Sequence, residues 1–88
     1  MTLKERLYSE YRTAYTKWYA LDQEAKANPG IGRAVAIAHK KDEALAVLVV
    51  IERCMTKPGK AVLREIEMEV INEYWLAVEE KTREEEEE

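Results

Sequence analysis

The first 27 residues have the spacing of an amphipathic helix. The recurring apolar positions are Leu7, Tyr11, Ala14, Trp18, Leu21 and Ala25. They lie three or four residues apart, which is the helical period, and at about 100° per residue the apolar surface divides into two halves. One half is aliphatic. The other half is aromatic and consists of Tyr8, Tyr11, Tyr15, Trp18 and Tyr19. The pattern therefore predicts a helix over residues 3–27 with two different apolar surfaces.

The second segment, about residues 31–55, has a central part without any polar side chain, from Ala44 to Ile51. A helix that is apolar on every side is buried or lies between partners. A competing interpretation makes residues 33–52 a hairpin, because valine and isoleucine favour strands and the run Lys40–Glu43 would form the loop. That loop lacks glycine and asparagine, and the alanines favour a helix. We therefore predict a helix and keep the hairpin as the alternative.

The third segment, about residues 60–83, carries two apolar stripes. The first consists of Leu63, Ile66, Val70 and Ala77, with Tyr74 nearby. The second consists of Met68, Ile71, Trp75 and Val78. Two stripes on one helix indicate contact with two neighbours.

Two Pro-Gly pairs, Pro29-Gly30 and Pro58-Gly59, divide the chain into these three segments. Proline cannot continue a helix and glycine tolerates any backbone angle. Asn28 or Thr56 would cap the helix that follows, with proline in its first turn, or these residues would instead close the helix before. We predict an all-α fold. Its three long antiparallel helices span about residues 3–27, 31–55 and 60–83.

An 88-residue chain has room for one domain, which we place at residues 1–83. The arrangement is either a three-helix bundle or an intertwined homodimer. The apolar turns of the second helix and the two stripes of the third need more cover than one short chain supplies. We therefore expect the homodimer.

Charge is distributed unevenly along the chain. Residues 1–28, 29–60 and 61–88 carry about +1, +3 and −8. The glutamates of residues 84–88 stand at the helix end that the helix dipole makes unfavourable for negative charge, so we expect a frayed acidic tail there. The basic middle and the acidic end are expected to attract each other within one bundle or between subunits.

The residues needed for catalysis or metal binding are scarce. His39 and Cys54 are the only histidine and cysteine, and on one continuous helix they would lie about 22 Å apart along the axis. We therefore predict no enzyme, no catalytic residue, no metal site and no cofactor. The single cysteine and the charged N-terminus favour a cytoplasmic protein, and the longest apolar run is too short for a bilayer.

The aromatic half of the first helix is the best indication of function. Tyrosine and tryptophan combine a large apolar area with a polar group, and protein interfaces are enriched in them. We therefore predict a small non-enzymatic interaction, regulatory or assembly protein that acts as a homodimer or binds another protein. The predicted interface residues are Tyr8, Tyr11, Tyr15, Trp18, Tyr19 and Trp75. The alternative at this stage is that these rings belong to the protein's own core boundary.

A second functional interpretation is a nucleic-acid-binding regulator. Basic residues are scattered over residues 33–64, and Arg33, Lys40 and Lys41 are the candidate contacts for an anion or a nucleic acid. The strongly acidic third segment opposes this interpretation because it repels phosphate.

Overall fold

Three α-helices make up the fold, as the sequence predicts. The computed structural model of the protein describes residues 2–27 and 30–87. The helices are α1 (Leu3–Ala27), α2 (Ile31–Arg53) and α3 (Lys57–Glu87). The described residues contain no strand, so the all-α prediction is confirmed and the hairpin alternative over residues 33–52 is wrong. The proposed cap at Asn28 and the turn at Pro29 lie outside the described residues.

The start of α1 is fixed by a reciprocal pair of hydrogen bonds. The backbone N–H of Glu5 donates to Oγ1 of Thr2 at 3.2 Å, and the backbone N–H of Thr2 donates to Oε2 of Glu5 at 3.3 Å. A threonine followed three residues later by glutamate forms a capping box, which satisfies two backbone donors that the helix leaves free. This local signal explains why α1 begins at Leu3.

The turn between α2 and α3 is shorter than the sequence predicts. Helix α2 ends at Arg53, and the backbone N–H of Cys54 closes it by donating to the carbonyl oxygens of Val50 and Ile51 at 3.3 and 3.1 Å. Helix α3 begins at Lys57 instead of residue 60, with Pro58 in its first turn. Proline is tolerated there because the first N–H groups of a helix have no partner within it.

The C-terminal end of α3 also differs from the prediction. The helix continues to Glu87, four residues beyond the expected end at residue 83. Glutamate is a good helix former and no glycine or proline interrupts the run, so intrinsic propensity outweighs the unfavourable interaction with the helix dipole here. Glu84, Glu85 and Glu86 are exposed, as predicted for a solvated acidic end.

The core is small and gathers around the middle of α1. It consists of Tyr11, Leu48, Ile51, Leu63, Ile66 and Val70, with partly buried residues such as Leu7 and Ala14 packed against it. Helix α1 packs along both other helices, whereas α2 and α3 approach each other only slightly. In this fold α1 therefore packs against both α2 and α3, and α2 and α3 diverge from each other.

The order of the contacts shows how the helices run. Tyr11 pairs with Glu67 and Tyr19 with Trp75, so residue numbers rise together along α1 and α3. Asp22, near the end of α1, instead pairs with Lys41 in the first half of α2. Helices α1 and α3 therefore point the same way and place their aromatic residues side by side.

The arrangement is unusually open for its size. The accessible surface is 6715 Å², whereas a compact monomer of this mass exposes about 5,300 Å². The radius of gyration is 15.3 Å, compared with about 12 Å for a compact domain of this length. Large apolar side chains account for much of the exposed surface. The exposed set is Leu3, Val35, Leu45, Val47, Val49, Val50, Met68, Trp75, Leu76 and Val78.

Candidate functional site

Six aromatic rings form a continuous series from α1 to α3. Within α1, the ring of Tyr15 lies 6.2 Å from that of Tyr11 and 6.3 Å from that of Tyr19, nearly parallel to both. The Tyr19 ring meets Tyr74 of α3 edge-on at 5.3 Å, and Tyr74 meets its neighbour Trp75 in the same way. Trp18 completes the set beside Tyr15 at 5.6 Å. Ring pairs at such distances stabilise beyond their buried area.

One hydrogen bond fixes the position of Trp75. Its indole Nε1–H donates to the hydroxyl oxygen of Tyr19 at 2.8 Å. The polar groups of Trp75 and Tyr19 are therefore paired with each other, while 49% of Trp75 remains exposed. The structure thus brings together a tryptophan and a tyrosine that the sequence separates by 56 residues.

The predicted interface residues differ in exposure. Tyr11 is 2% exposed and belongs to the core of the chain itself. Tyr8, Tyr15, Trp18 and Tyr19 are half-buried. The aromatic half of α1 therefore contributes one ring to the core, and its other four rings are only partly covered.

Beside these rings, an open groove lies between α2 and α3. We call it the aromatic groove. Its floor on α1 consists of Tyr11, Tyr15 and Trp18. Its wall on α2 consists of Leu45, Leu48 and Val49. Glu52, Arg64 and Glu67 line the groove where α2 and α3 come closest.

On α3 the aromatic groove is lined by Arg64 and Glu67, and the second apolar stripe continues from Arg64 along the same side of the helix. Residues four, seven, eleven and fourteen positions after Arg64 share its side of the helix. They are Met68, Ile71, Trp75 and Val78. Met68 is 59% exposed, Trp75 and Val78 are exposed, and Ile71 is half-buried. The sequence predicts a second neighbour for this stripe, and the described residues leave three of its four side chains exposed.

Charged groups close the aromatic groove at the α2–α3 turn. The guanidinium of Arg64 donates to Glu52 and to Glu67, at 2.7 Å in each case. The hydrogen bond that Arg64 donates to Glu67 raises the pKa of Arg64 above its ordinary value. The Tyr11 hydroxyl donates to Glu67 at 3.3 Å, and burial together with the Glu67 charge raises the pKa of Tyr11. Burial also raises the pKa of Tyr15.

A second ion pair joins α1 to α2 at the other end of the aromatic groove. Nζ of Lys41 donates to Asp22 at 2.7 Å and lies 5.5 Å from the centre of the Trp18 ring. The hydrogen bond from Lys41 lowers the pKa of Asp22 below its ordinary value. Both side chains are largely buried, so this pair is less screened than a surface pair.

We expect Asp22→Asn to lower the free energy of unfolding by about 1 kcal/mol at neutral pH, because the charge-assisted bond to Lys41 is lost. The folded-state pKa of Asp22 is lowered, so its contribution is complete above the unfolded pKa of about 3.9 and disappears as the pH falls through the folded value. Urea unfolding at fixed protein concentration, repeated at about pH 7 and about pH 3, measures this difference. The matched control is Asp42→Asn on the exposed side of α2. A difference between wild type and Asp22→Asn that is as large at about pH 3 as at about pH 7 would contradict the role of the ion pair.

Exposed glutamates of α3 also contact α1. In the structure, the Arg12 guanidinium of α1 bonds to Glu69 and lies 3.4 Å from Glu73. These exposed pairs contribute little energy individually, but they align α3 along α1 outside the aromatic groove.

The candidate nucleic-acid contacts do not form one patch of free charge. Arg33 and Lys40 are exposed on α2, whereas Lys41 is engaged by Asp22 and Trp18. Arg64, also within the basic region, is engaged by two glutamates. Nucleic-acid binding stays a prediction of the sequence, and these ion pairs make it less favourable.

The predicted interface lacks Leu45, Leu48 and Val49 of the α2 wall and Tyr74 of the ring series. Leu45 and Val49 belong to a run that is apolar on all sides, so no periodicity distinguishes the side that faces α1 from the side that faces the aromatic groove. Tyr74 was placed beside the first stripe of α3, and only the position of α1 shows that it joins the ring series. The stripe of Met68, by contrast, could be detected in the sequence as an apolar surface beyond the one that the single-chain core uses.

The described residues contain no group of three or more histidine, cysteine, aspartate or glutamate side chains that could hold a metal ion. Within the same part of the chain, no helix is both long and apolar enough to cross a membrane. No protein-family model, curated protein or solved structure matches the chain. Its functional assignment therefore depends on the aromatic groove itself.

Proposed function

We propose that this protein is a non-enzymatic helical interaction protein that acts as a homodimer, with the aromatic groove covered by a helix of another protein chain. The observation that carries this proposal is the exposed α3 stripe beside half-buried tyrosine and tryptophan rings. Clusters of large apolar and aromatic side chains are uncommon on monomer surfaces and are typical of interface centres.

The amount of exposed surface also supports an association. The chain exposes about 1,400 Å² more than a compact monomer of its mass, and a standard interface buries about 800 Å² on each partner. Part of the excess belongs to the solvated end of α3 at Glu84–Glu86.

The shape of the aromatic groove favours a helix over a small ligand. The stripe from Met68 to Val78 extends about 15 Å along α3, and Leu45, Leu48 and Val49 line the aromatic groove from α2. Helix-in-groove recognition uses apolar anchors along such a length. A helix placed there would complete a four-helix arrangement around the aromatic rings.

Two measurements as a function of protein concentration test this proposal: the molecular mass and the tryptophan fluorescence. We expect sedimentation equilibrium to give twice the 10.2 kDa chain mass at micromolar concentration. A Trp18→Phe variant leaves Trp75 as the only tryptophan, and its emission should shift to shorter wavelength as concentration rises, because the exposed indole becomes buried. Trp75→Phe, which retains the half-buried Trp18, is the control and should shift less. A monomeric mass at every concentration would contradict the homodimer.

A further inference from the structure

The exposed stripe of α3 has the spacing of a helix–helix seam. Met68, Ile71, Trp75 and Val78 follow each other at intervals of three, four and three residues. This is the a/d pattern of a heptad, in which the apolar positions of one helix interdigitate with those of another. Helix α1 covers the first stripe and contacts the second through the hydrogen bond between Tyr19 and Trp75, so most of the second stripe is available to another helix.

If the stripes of two copies pack antiparallel, each side chain of one stripe faces a side chain of complementary size on the other, and each such pair forms one layer of the interface. Around a two-fold axis at residue 73, Met68 of one copy faces Val78 of the other, and Ile71 faces Trp75. Each layer then joins a larger with a smaller side chain, and all four layers are filled. The midpoint of α3 (Lys57–Glu87) lies within one residue of this axis, so the two helices would overlap over nearly their full length of about 45 Å.

The charges of α3 select the same orientation. The first third of α3 carries Lys57, Lys60 and Arg64 against Glu65 and Glu67, whereas residues 79–86 carry five glutamates against Lys81 and Arg83. Among the described residues, the only ion pair made by this acidic end is Arg83 with Glu79, within α3. In the antiparallel register Lys60 of one copy lies opposite Glu86 of the other. A parallel pairing would instead place basic ends together and acidic ends together, which is repulsive.

We propose that the occupant of the aromatic groove is α3 of a second copy, which packs antiparallel against the Met68–Val78 stripe and places its acidic end against the basic start of the first copy. This inference rests on the proposed function and adds the helix, its register and its direction. The contact between an acidic helix end and a basic helix start occurs twice, once at each end of the helix pair, because a two-fold interface uses the same patch on both subunits.

Two charge-reversed variants test the orientation without weakening the helix. One variant carries Lys57→Glu and Lys60→Glu, and the other carries Glu85→Lys and Glu86→Lys. Negative charge at a helix start and positive charge at its end are both favourable to the helix dipole. A loss of association therefore cannot come from melting of α3, and circular dichroism checks this directly.

Each variant alone places like charges at both ends of the antiparallel pair, whereas a mixture of the two restores attraction at both ends. At low salt we expect each variant to dimerise roughly tenfold more weakly than wild type, and an equimolar mixture to recover wild-type affinity. Fluorescence energy transfer between differently labelled variants measures the mixed dimer. Unchanged self-association of both variants, or no recovery on mixing, would overturn the antiparallel pairing while leaving the homodimer intact. A monomeric wild type would contradict the proposed function itself.

Discussion

Tyr11→Ala should lower the free energy of unfolding by about 3–5 kcal/mol, the range for removing a fully buried aromatic side chain. Tyr11 is 2% exposed and lies among Leu48, Leu63 and Ile66 at the centre of the only buried cluster in the described residues. A short chain has little stability to lose. We therefore expect a large loss of helical signal near room temperature, measured by circular dichroism and urea unfolding.

Tyr11→Phe separates the ring from its hydroxyl. It keeps the packing and removes the donation to Glu67 at 3.3 Å, so the expected cost is only about 1 kcal/mol. Burial raises the pKa of Tyr11, so its contribution is complete below the unfolded pKa of about 10 and is lost as the pH rises above it. The Phe variant should lose less stability at alkaline pH. A Tyr11→Ala protein that retains wild-type stability but no longer dimerises would instead make Tyr11 an interface residue.

The elements of this fold follow closely from the sequence. The periodicity of residues 3–27 predicts α1, and the Pro-Gly pair at Pro58 marks the start of α3 within three residues. The two stripes of α3 were also readable, and the structure assigns one to α1 and leaves the other exposed. The sequence signal was sufficient because helical spacing directly gives the sides of a helix.

The relative positions of the helices could not be predicted in the same way. Spacing places Tyr11 and Tyr19 on one side of α1, but it does not show that Tyr11 enters the core while Tyr19 bonds to Trp75. The contact of Asp22 could not be predicted either, because its partner Lys41 lies on another helix. Such cross-helix contacts depend on the rotation and offset of each helix. Neither quantity is contained in the period of a single segment.

Met68→Glu should abolish the dimer at micromolar concentration, with dimerisation weakened by roughly a hundredfold or more. The two-fold axis places two such carboxylates in each interface, and the Arg64 guanidinium four residues before each is already bonded to Glu52 and Glu67. Leu76→Glu is the matched control. Met68 and Leu76 are 59% and 60% exposed on the same helix, but Leu76 points away from the stripe. Both substitutions replace an exposed apolar side chain with a good helix former, so neither should unfold the single chain.

The comparison of these two variants locates the interface independently of folding. Sedimentation equilibrium should give a monomer for Met68→Glu and a dimer for Leu76→Glu, with equal helical content for both. If the two variants dissociate equally, exposed apolar area in general drives association, and the stripe has no special role. If neither dissociates, the dimer uses a different surface, such as the outer side of α2 around Val47 and Val50, which is also exposed. A selective effect of Met68→Glu would instead require the second chain to lie against the stripe, because only a covered position is sensitive to a buried charge.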